Sequence, residues 1–245
     1  MRDISHKKRI ESFQGEFVDH IAHEFRTPLT SILAYIEMLI DGEATDQESK
    51  FMFYNIVYEE AHRLAQLIDN LLNLSRLESG MATINCSPTR LKRLLETNLE
   101  VIRPQCEKNN QKLVVELDER QPTLNVDKSL FSVAVMNLLG NAAKYTPPGG
   151  TITVWTSSNE EQFQINVKDT GVGIEEQELP KIFDKFYRCD TAQDETVTDS
   201  GVGLATAQKI LHAHGCDISV SSKRGEGSMF SILVPRSLIN TSVGD

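Results

Sequence analysis

His23 and Glu24 stand side by side in the run His23-Glu24-Phe25-Arg26-Thr27-Pro28-Leu29. A neutral imidazole, with an ordinary pKa of about 6.5, is a good nucleophile near neutral pH. A carboxylate one residue away can accept the proton that attack releases. His20, His23 and Thr27 follow the spacing i, i+3, i+7, so a helix puts them on one face. Pro28 cannot donate to the carbonyl of Glu24, so the helix is expected to bend or loosen beside His23. An interior proline costs about 3 kcal/mol, which favours a working histidine over an ordinary surface one. A zinc-protease reading fails, because His-Glu-x-x-His needs a second histidine where Thr27 stands.

A second set of residues lies more than a hundred positions on. Asn137, Asn141 and Lys144 share one stripe of an otherwise apolar helix. Amide oxygens suit magnesium and lysine suits phosphate. Asp169 opens Asp169-Thr170-Gly171-Val172-Gly173-Ile174 at the end of an expected strand. A buried carboxylate is an acceptor only, so it selects a base edge carrying an amino group: adenine fits, and the guanine carbonyl is repelled. Gly171 and Gly173 are expected to let the backbone approach a flat ring. Gly201-Val202-Gly203-Leu204-Ala205 opens a helix and has the form of an anion cradle. It lacks the third glycine of a dinucleotide fingerprint and the Gly-Lys-Ser/Thr of a Walker A loop. Between the glycine motifs, residues 190–200 have the composition of a mobile lid.

Long, regular elements must carry these groups. Apolar residues at Ile10, Phe13, Phe17, Ile21, Phe25, Leu29, Ile32, Ile36 and Leu39 recur every three or four positions, which predicts a helix over about 8–41. The polar stretch 41–46 breaks it. A second helix then runs to about Glu78, with adjoining stripes that include Phe51, Tyr54, Tyr58, Leu64, Leu67 and Leu71. A lone hairpin cannot bury stripes this wide, and a homodimeric four-helix bundle can. The break at 79–83 and Pro88 mark a domain boundary. Beyond it, helices over about 91–108, 129–145 and 203–214 and strands over about 112–117, 151–156, 163–168, 218–221 and 229–234 predict an α+β sandwich. The expected division is the end of an upstream sensor or linker at 1–12, a helical dimerisation domain at 13–80, a linker at 81–88, an α+β domain at 89–236 that carries the nucleotide motifs, and a tail at 237–245.

The 245 residues are 40% hydrophobic and 24% charged, with a net charge of −10, which argues against nonspecific nucleic-acid binding. No apolar run is long enough to span a bilayer and the opening residues lack a signal-peptide core, so a cytoplasmic segment without membrane contact is expected. Cys86, Cys106, Cys189 and Cys216 match no zinc or disulfide pattern and are expected as free thiols.

His23 to Leu29 resembles the H-box of sensor histidine kinases. The Asn137–Tyr145 run, Asp169–Ile174, Phe183-Asp184-Lys185-Phe186-Tyr187-Arg188 and Gly201–Ala205 resemble the N-, G1-, F- and G2-boxes of the same family. The resemblance covers about residues 13–236. Their order is also that of the superfamily containing gyrase, MutL and the ninety-kilodalton heat-shock chaperones. The resemblance implies a dimeric all-α hairpin followed by an α+β two-layer sandwich of the Bergerat ATP-binding kind. It implies ATP and Mg2+ as cofactors, His23 as phosphoacceptor and Glu24 as base. Thr27 would position water for dephosphorylating the partner, a response-regulator receiver domain. Asn141 would ligate magnesium, Lys144 and Arg188 would contact phosphates, Tyr145 would border the base and Asp169 would read adenine. Asn137, Gly171, Gly173, Gly201, Gly203 and Leu204 would complete the nucleotide site. Ser228-Met229 departs from relatives that carry threonine there: Ser228 can help to bind the base through water, and Met229 cannot. The opening Met1-Arg2-Asp3-Ile4-Ser5 is similar to the exit of a PAS domain, which implies an upstream sensor. A pure ATPase or serine kinase of the superfamily would not need the His23 motif, and a degenerate scaffold would be expected to lose His23, Asn141 or Asp169.

Overall fold

The computed structural model describes residues 2–79, 83–118, 121–159, 161–189 and 201–240, with side chains from residue 21 to 239. The chain divides into two compact units, Met1–Leu71 and Leu72–Asp245.

The first unit is a helical hairpin. Helix α1 (Arg2–Ile40) begins six residues before the expected start at 8, because residues 2–7 are mostly polar and hold a helix without contributing periodicity. It passes through Pro28 without interruption. The turn loses the bond that Pro28 cannot donate, and the Thr27 hydroxyl adds one to the His23 carbonyl at 3.3 Å. Gly42, at φ 75°, ends the helix in the left-handed conformation that glycine adopts cheaply. Helix α2 (Gln47–Glu78) starts on Asp46, whose carboxylate accepts from the Ser49 amide (2.7 Å) and hydroxyl (2.8 Å). These bonds hold the Asp46 carboxyl below its ordinary value. Tyr35 meets Phe53 edge-on at 5.1 Å, yet Leu33, Ile40, Phe51 and Tyr58 stay more than half exposed. Large apolar side chains left to solvent on both helices are what an interaction face presents.

The last turn of α2 belongs to the second unit. Leu74 is buried there, Leu77 packs on its core and Glu78 pairs with Lys185 at 2.6 Å. The division at Leu71/Leu72 thus falls inside α2, ahead of the break expected at 79–83. The remaining elements are β1 (Ser87–Arg90), α3 (Leu91–Lys108), β2 (Lys112–Glu116), β3 (Thr123–Val126), α4 (Lys128–Tyr145), β4 (Thr151–Ser158), β5 (Gln162–Asp169), α5 (Gly203–Ala213), β6 (Asp217–Lys223), β7 (Gly227–Pro235) and β8 (Ile239–Asn240). The main sheet is mixed, ordered β2-β4-β5-β7-β6, with β2 parallel to β4 and the other pairs antiparallel. Ile152, Val154, Ile165, Val167, Phe230 and Ile232 alternate along the strands and share a core with Leu95, Leu99, Phe131, Leu138 and Ile210 of the helices. The result is one helical layer on one sheet.

Three strands are not legible in the sequence pattern. β1, β3 and β8 are four, four and two residues long and form their own small sheet, ordered β1-β3-β8. Strands this short are below what a period-2 pattern can reveal. α4 is fixed at both ends. Asp127 caps it by accepting from Ser129 (3.0 Å) and Leu130 (3.1 Å). The Asp127 amide donates to buried His214 Nε2 (3.0 Å), and His214 Nδ1 lies 2.7 Å from the Ile210 carbonyl. An amide can only donate, so the ring is neutral with its proton on Nδ1. At the other end Gln111 donates to the carbonyls of Ala143 (2.7 Å) and Thr146, which fixes the exit past Tyr145.

Candidate active site

Asp169 is the last residue of β5, and its side chain is buried, at 4% exposure. The antiparallel pairing of β5 with β7, with Lys168 opposite Met229, brings Ser228 beside it. Its Oδ1 accepts from the Gly171 amide (2.8 Å) and the Ser228 amide (3.2 Å). Both bonds fall on one oxygen, so Oδ2 remains as an acceptor. Burial raises the Asp169 pKa above the ordinary carboxylate value, against the opposing pull of the two amides.

Asp169 lines an open cavity. Asn141, Tyr145, Gly173, Arg188, Gly201, Gly203 and Leu204 line it too. Three other expected site residues lie beside it instead. Asn137 Oδ1 sits 2.9 Å from where a Cβ on Gly203 would be, under the start of α5, and its Nδ2 is buried with no hydrogen-bond partner. Lys144 Nζ lies 5.5 Å from the Tyr145 ring centre. Gly171 packs against the Tyr145 carbonyl, so closely that a Cβ there would collide with it.

The glycines also answer to a constraint within the protein itself. A Cβ on Gly173 would collide with the Lys223 carbonyl. Gly171 and Gly173 are therefore required by the protein's own backbone before any ring approaches. The sequence reading also misses Val172, Ile174, Ile182, Tyr187, Cys189 and Phe230, which line the same cavity. Ile174 closes the Gly-x-Gly run and Phe230 alternates with Ser228, so both are readable in principle. Ile182, Tyr187 and Cys189 flank or fall within the Phe183–Arg188 run, but nothing in their residue types announces a pocket. Ser228 lines the cavity and Met229 does not, as strand alternation requires. Ser222 donates to the Gly227 carbonyl (2.9 Å), so the Ser228 proton points at Ser222 Oγ (2.9 Å) and Ser228 keeps acceptor capacity. The lid stretch 190–200 lies outside the described residues.

In the first unit His23 and Thr27 are exposed and Glu24 is half-buried. Glu24 Oε2 lies 3.8 Å from Arg63 Nη2 of α2. The backbone of His20 is helical, and its side chain lies outside the described set.

A buried carboxylate beside an apolar slot, a glycine-opened helix and an asparagine at the cavity wall define a nucleotide-binding domain, here preceded by a hairpin that displays a histidine. Residues 126–238 match the family of histidine kinase-, DNA gyrase B- and HSP90-like ATPases, and residues 13–80 match the histidine kinase A phospho-acceptor domain. The chain belongs to the histidine kinases and carries their catalytic core. It is similar to the sensor histidine kinase WalK of Bacillus subtilis, with 30% identity over 235 residues, 95% of this chain and 38% of WalK. It thus spans about two-fifths of that relative. The fold is shared with the histidine kinase ThkA solved in complex with the response regulator TrrA (TM-score 0.69, 24% identity, 94% of this chain and 63% of that one). It is shared too with ShkA solved in complex with AMPPNP (TM-score 0.66, 23% identity, 94% and 47%). Among the described residues no helix is long and apolar enough to cross a membrane.

The residues fit a magnesium nucleotide. Among the described residues no cluster of three His, Cys, Asp or Glu side chains could hold a metal alone. Asn141 offers an amide oxygen at the cavity wall. One protein oxygen combined with substrate phosphates is a common way to bind magnesium.

Proposed function

We propose that this chain transfers the γ-phosphoryl group of ATP to His23 and then to an aspartate of a response-regulator receiver domain. The observation that carries the reading is the Asp169 acceptor in an apolar cavity, joined in one chain to an exposed histidine with a carboxylate beside it. Asp169 Oδ2 accepts from the adenine amino group, Tyr145 borders the ring, and Lys144 and Arg188 bring positive charge to the phosphates. Asn137 and Leu204, together with Gly171, Gly173, Gly201 and Gly203, shape the nucleotide site. Asn141 would hold magnesium, which neutralises charge on the phosphates. A lone pair of one His23 ring nitrogen forms the N–P bond, the bond from phosphorus to the ADP oxygen breaks, and ADP leaves with that electron pair. The proton on the other ring nitrogen passes to Glu24. The solved complex of ThkA with TrrA supports the partner class. Likeness to the sensor histidine kinase WalK supports a cytoplasmic segment of a longer sensor, where ATP and a regulator are both at hand.

Incubation with γ-labelled ATP should give label that acid removes and alkali spares. Acid-stable label would favour a serine kinase of the same superfamily. The exposed stripe of Leu33, Ile40, Phe51 and Tyr58 supports a homodimer through the hairpin. Light scattering at micromolar concentration should give twice the chain mass, and a monomer would contradict this.

Thr27 separates two activities. Its hydroxyl already donates to the His23 carbonyl, and its oxygen still accepts, so it can hold a water. Thr27→Ala should keep autophosphorylation within a few fold and lose most phosphatase activity toward the phosphorylated regulator. Parallel loss of both rates with a lower melting temperature would mean that Thr27 only braces the turn at Pro28.

A further inference from the structure

Arg63 stands between two carboxylates on the hairpin. Its Nη2 lies 3.8 Å from Glu24 Oε2 on α1, and its Nη1 lies 3.5 Å from Glu60 Oε2, one turn back on α2. Both carboxylate oxygens are buried and neither has a hydrogen-bond partner. The guanidinium beside both supplies the opposite charge.

We infer that Arg63 is a positioning residue for phosphoryl transfer: paired with Glu24 across the hairpin, it holds that carboxylate where it can take the His23 proton. The inference rests on the proposed roles of His23 and Glu24. In the step itself the His23 lone pair forms the N–P bond, ADP departs with the electrons of the broken P–O bond, and the ring N–H proton goes to the Glu24 carboxylate. Without Arg63, the buried oxygens of Glu24 and Glu60 would both lose the counter-charge beside them.

The test is steady-state autophosphorylation of the full chain with ATP and magnesium. Arg63→Met should lower kcat on the order of tenfold, a part of the 10²–10⁴-fold that a positioned base supplies. KM for ATP should stay unchanged, because the described residues that line the nucleotide cavity fall between 141 and 230. Arg63→Lys should keep most of the rate, since the cation remains. The double variant Arg63→Met/Glu60→Gln should recover much of the loss, because one of the two charges left without a counter-charge is gone. A structural role in packing would not be relieved by Glu60→Gln. Unchanged kcat in Arg63→Met overturns the inference. So does a loss that persists in both Arg63→Lys and the double variant. The underlying reading is judged separately: if wild-type protein takes no acid-labile phosphate, the assignment of His23 falls. If wild type labels on His23 and Arg63→Met labels equally fast, only the Arg63 inference falls.

Discussion

His23→Gln is expected to reduce autophosphorylation to background while leaving ATP affinity intact. Glutamine keeps much of the size and polarity of histidine, but its amide nitrogen has no lone pair free to attack phosphorus. Among the described residues, the nucleotide cavity draws its walls from α4, β5, the loop 172–174, the segment 182–189, Gly201, the start of α5 and β7. The two measurements therefore separate. Calorimetry should give the same dissociation constant for both proteins, and acid-labile label should be present in wild type alone. Because His23 is exposed, its replacement should leave the melting temperature within the small range typical of surface substitutions. Undiminished label in the variant would sink the assignment and direct attention to His20, which shares its helix face.

What the sequence reveals here is what is local. The stripe from Ile10 to Leu39 gives α1 because each apolar residue repeats within one helical turn of the last. The acidic residue, the glycines and the asparagines are recognisable because each motif is contiguous. Two kinds of fact are not local. The first is register: the Ser228 amide reaches Asp169 across 59 residues because β7 lies next to β5 with one pairing, and no run of residues near either position states that. The Glu24–Arg63 contact depends in the same way on how far α1 slides along α2. The second is backbone crowding. The Gly-x-Gly spacing at Gly173 suggests a bound ring, whereas the Lys223 carbonyl, distant in sequence, is what excludes a side chain there. Ile182, Cys189 and Phe230 escape notice because an apolar or thiol side chain looks alike in a core and on a pocket wall. β8 escapes because two residues paired to β3 carry no pattern of their own.

Asp169→Asn should weaken ATP binding severely and at the same time make the nucleotide-free protein more stable. The amide oxygen can still accept from Gly171 and Ser228, as Oδ1 does now. The Nδ2 donors then face the adenine amino group, donor against donor. Turning the amide over would repair that contact and place donors against both backbone amides, so at least one buried polar contact is lost either way. Sites built on a buried polar reader discriminate by about 10⁴ or more when the partner is wrong, so affinity should fall on the order of a thousandfold or beyond, and preference for ATP over GTP should shrink. The stability change has the opposite sign. Burial raises the Asp169 pKa in the folded protein. The protonated form therefore favours the fold: that contribution is fully present below the unfolded-state pKa and is lost as pH rises through the folded one. Above that folded-state value the apo protein carries the cost of an ionised buried carboxylate, which asparagine removes, so the melting temperature should rise there. The same shift predicts that wild-type ATP affinity falls as pH drops through the raised Asp169 value, because a protonated carboxyl presents a donor where an acceptor is needed, and that the asparagine variant lacks this loss. Calorimetric titration with ATP at neutral and mildly acidic pH, with melting curves on the same samples, measures all three effects. Unchanged affinity with an unchanged melting temperature would reduce Asp169 to a residue that merely ends β5.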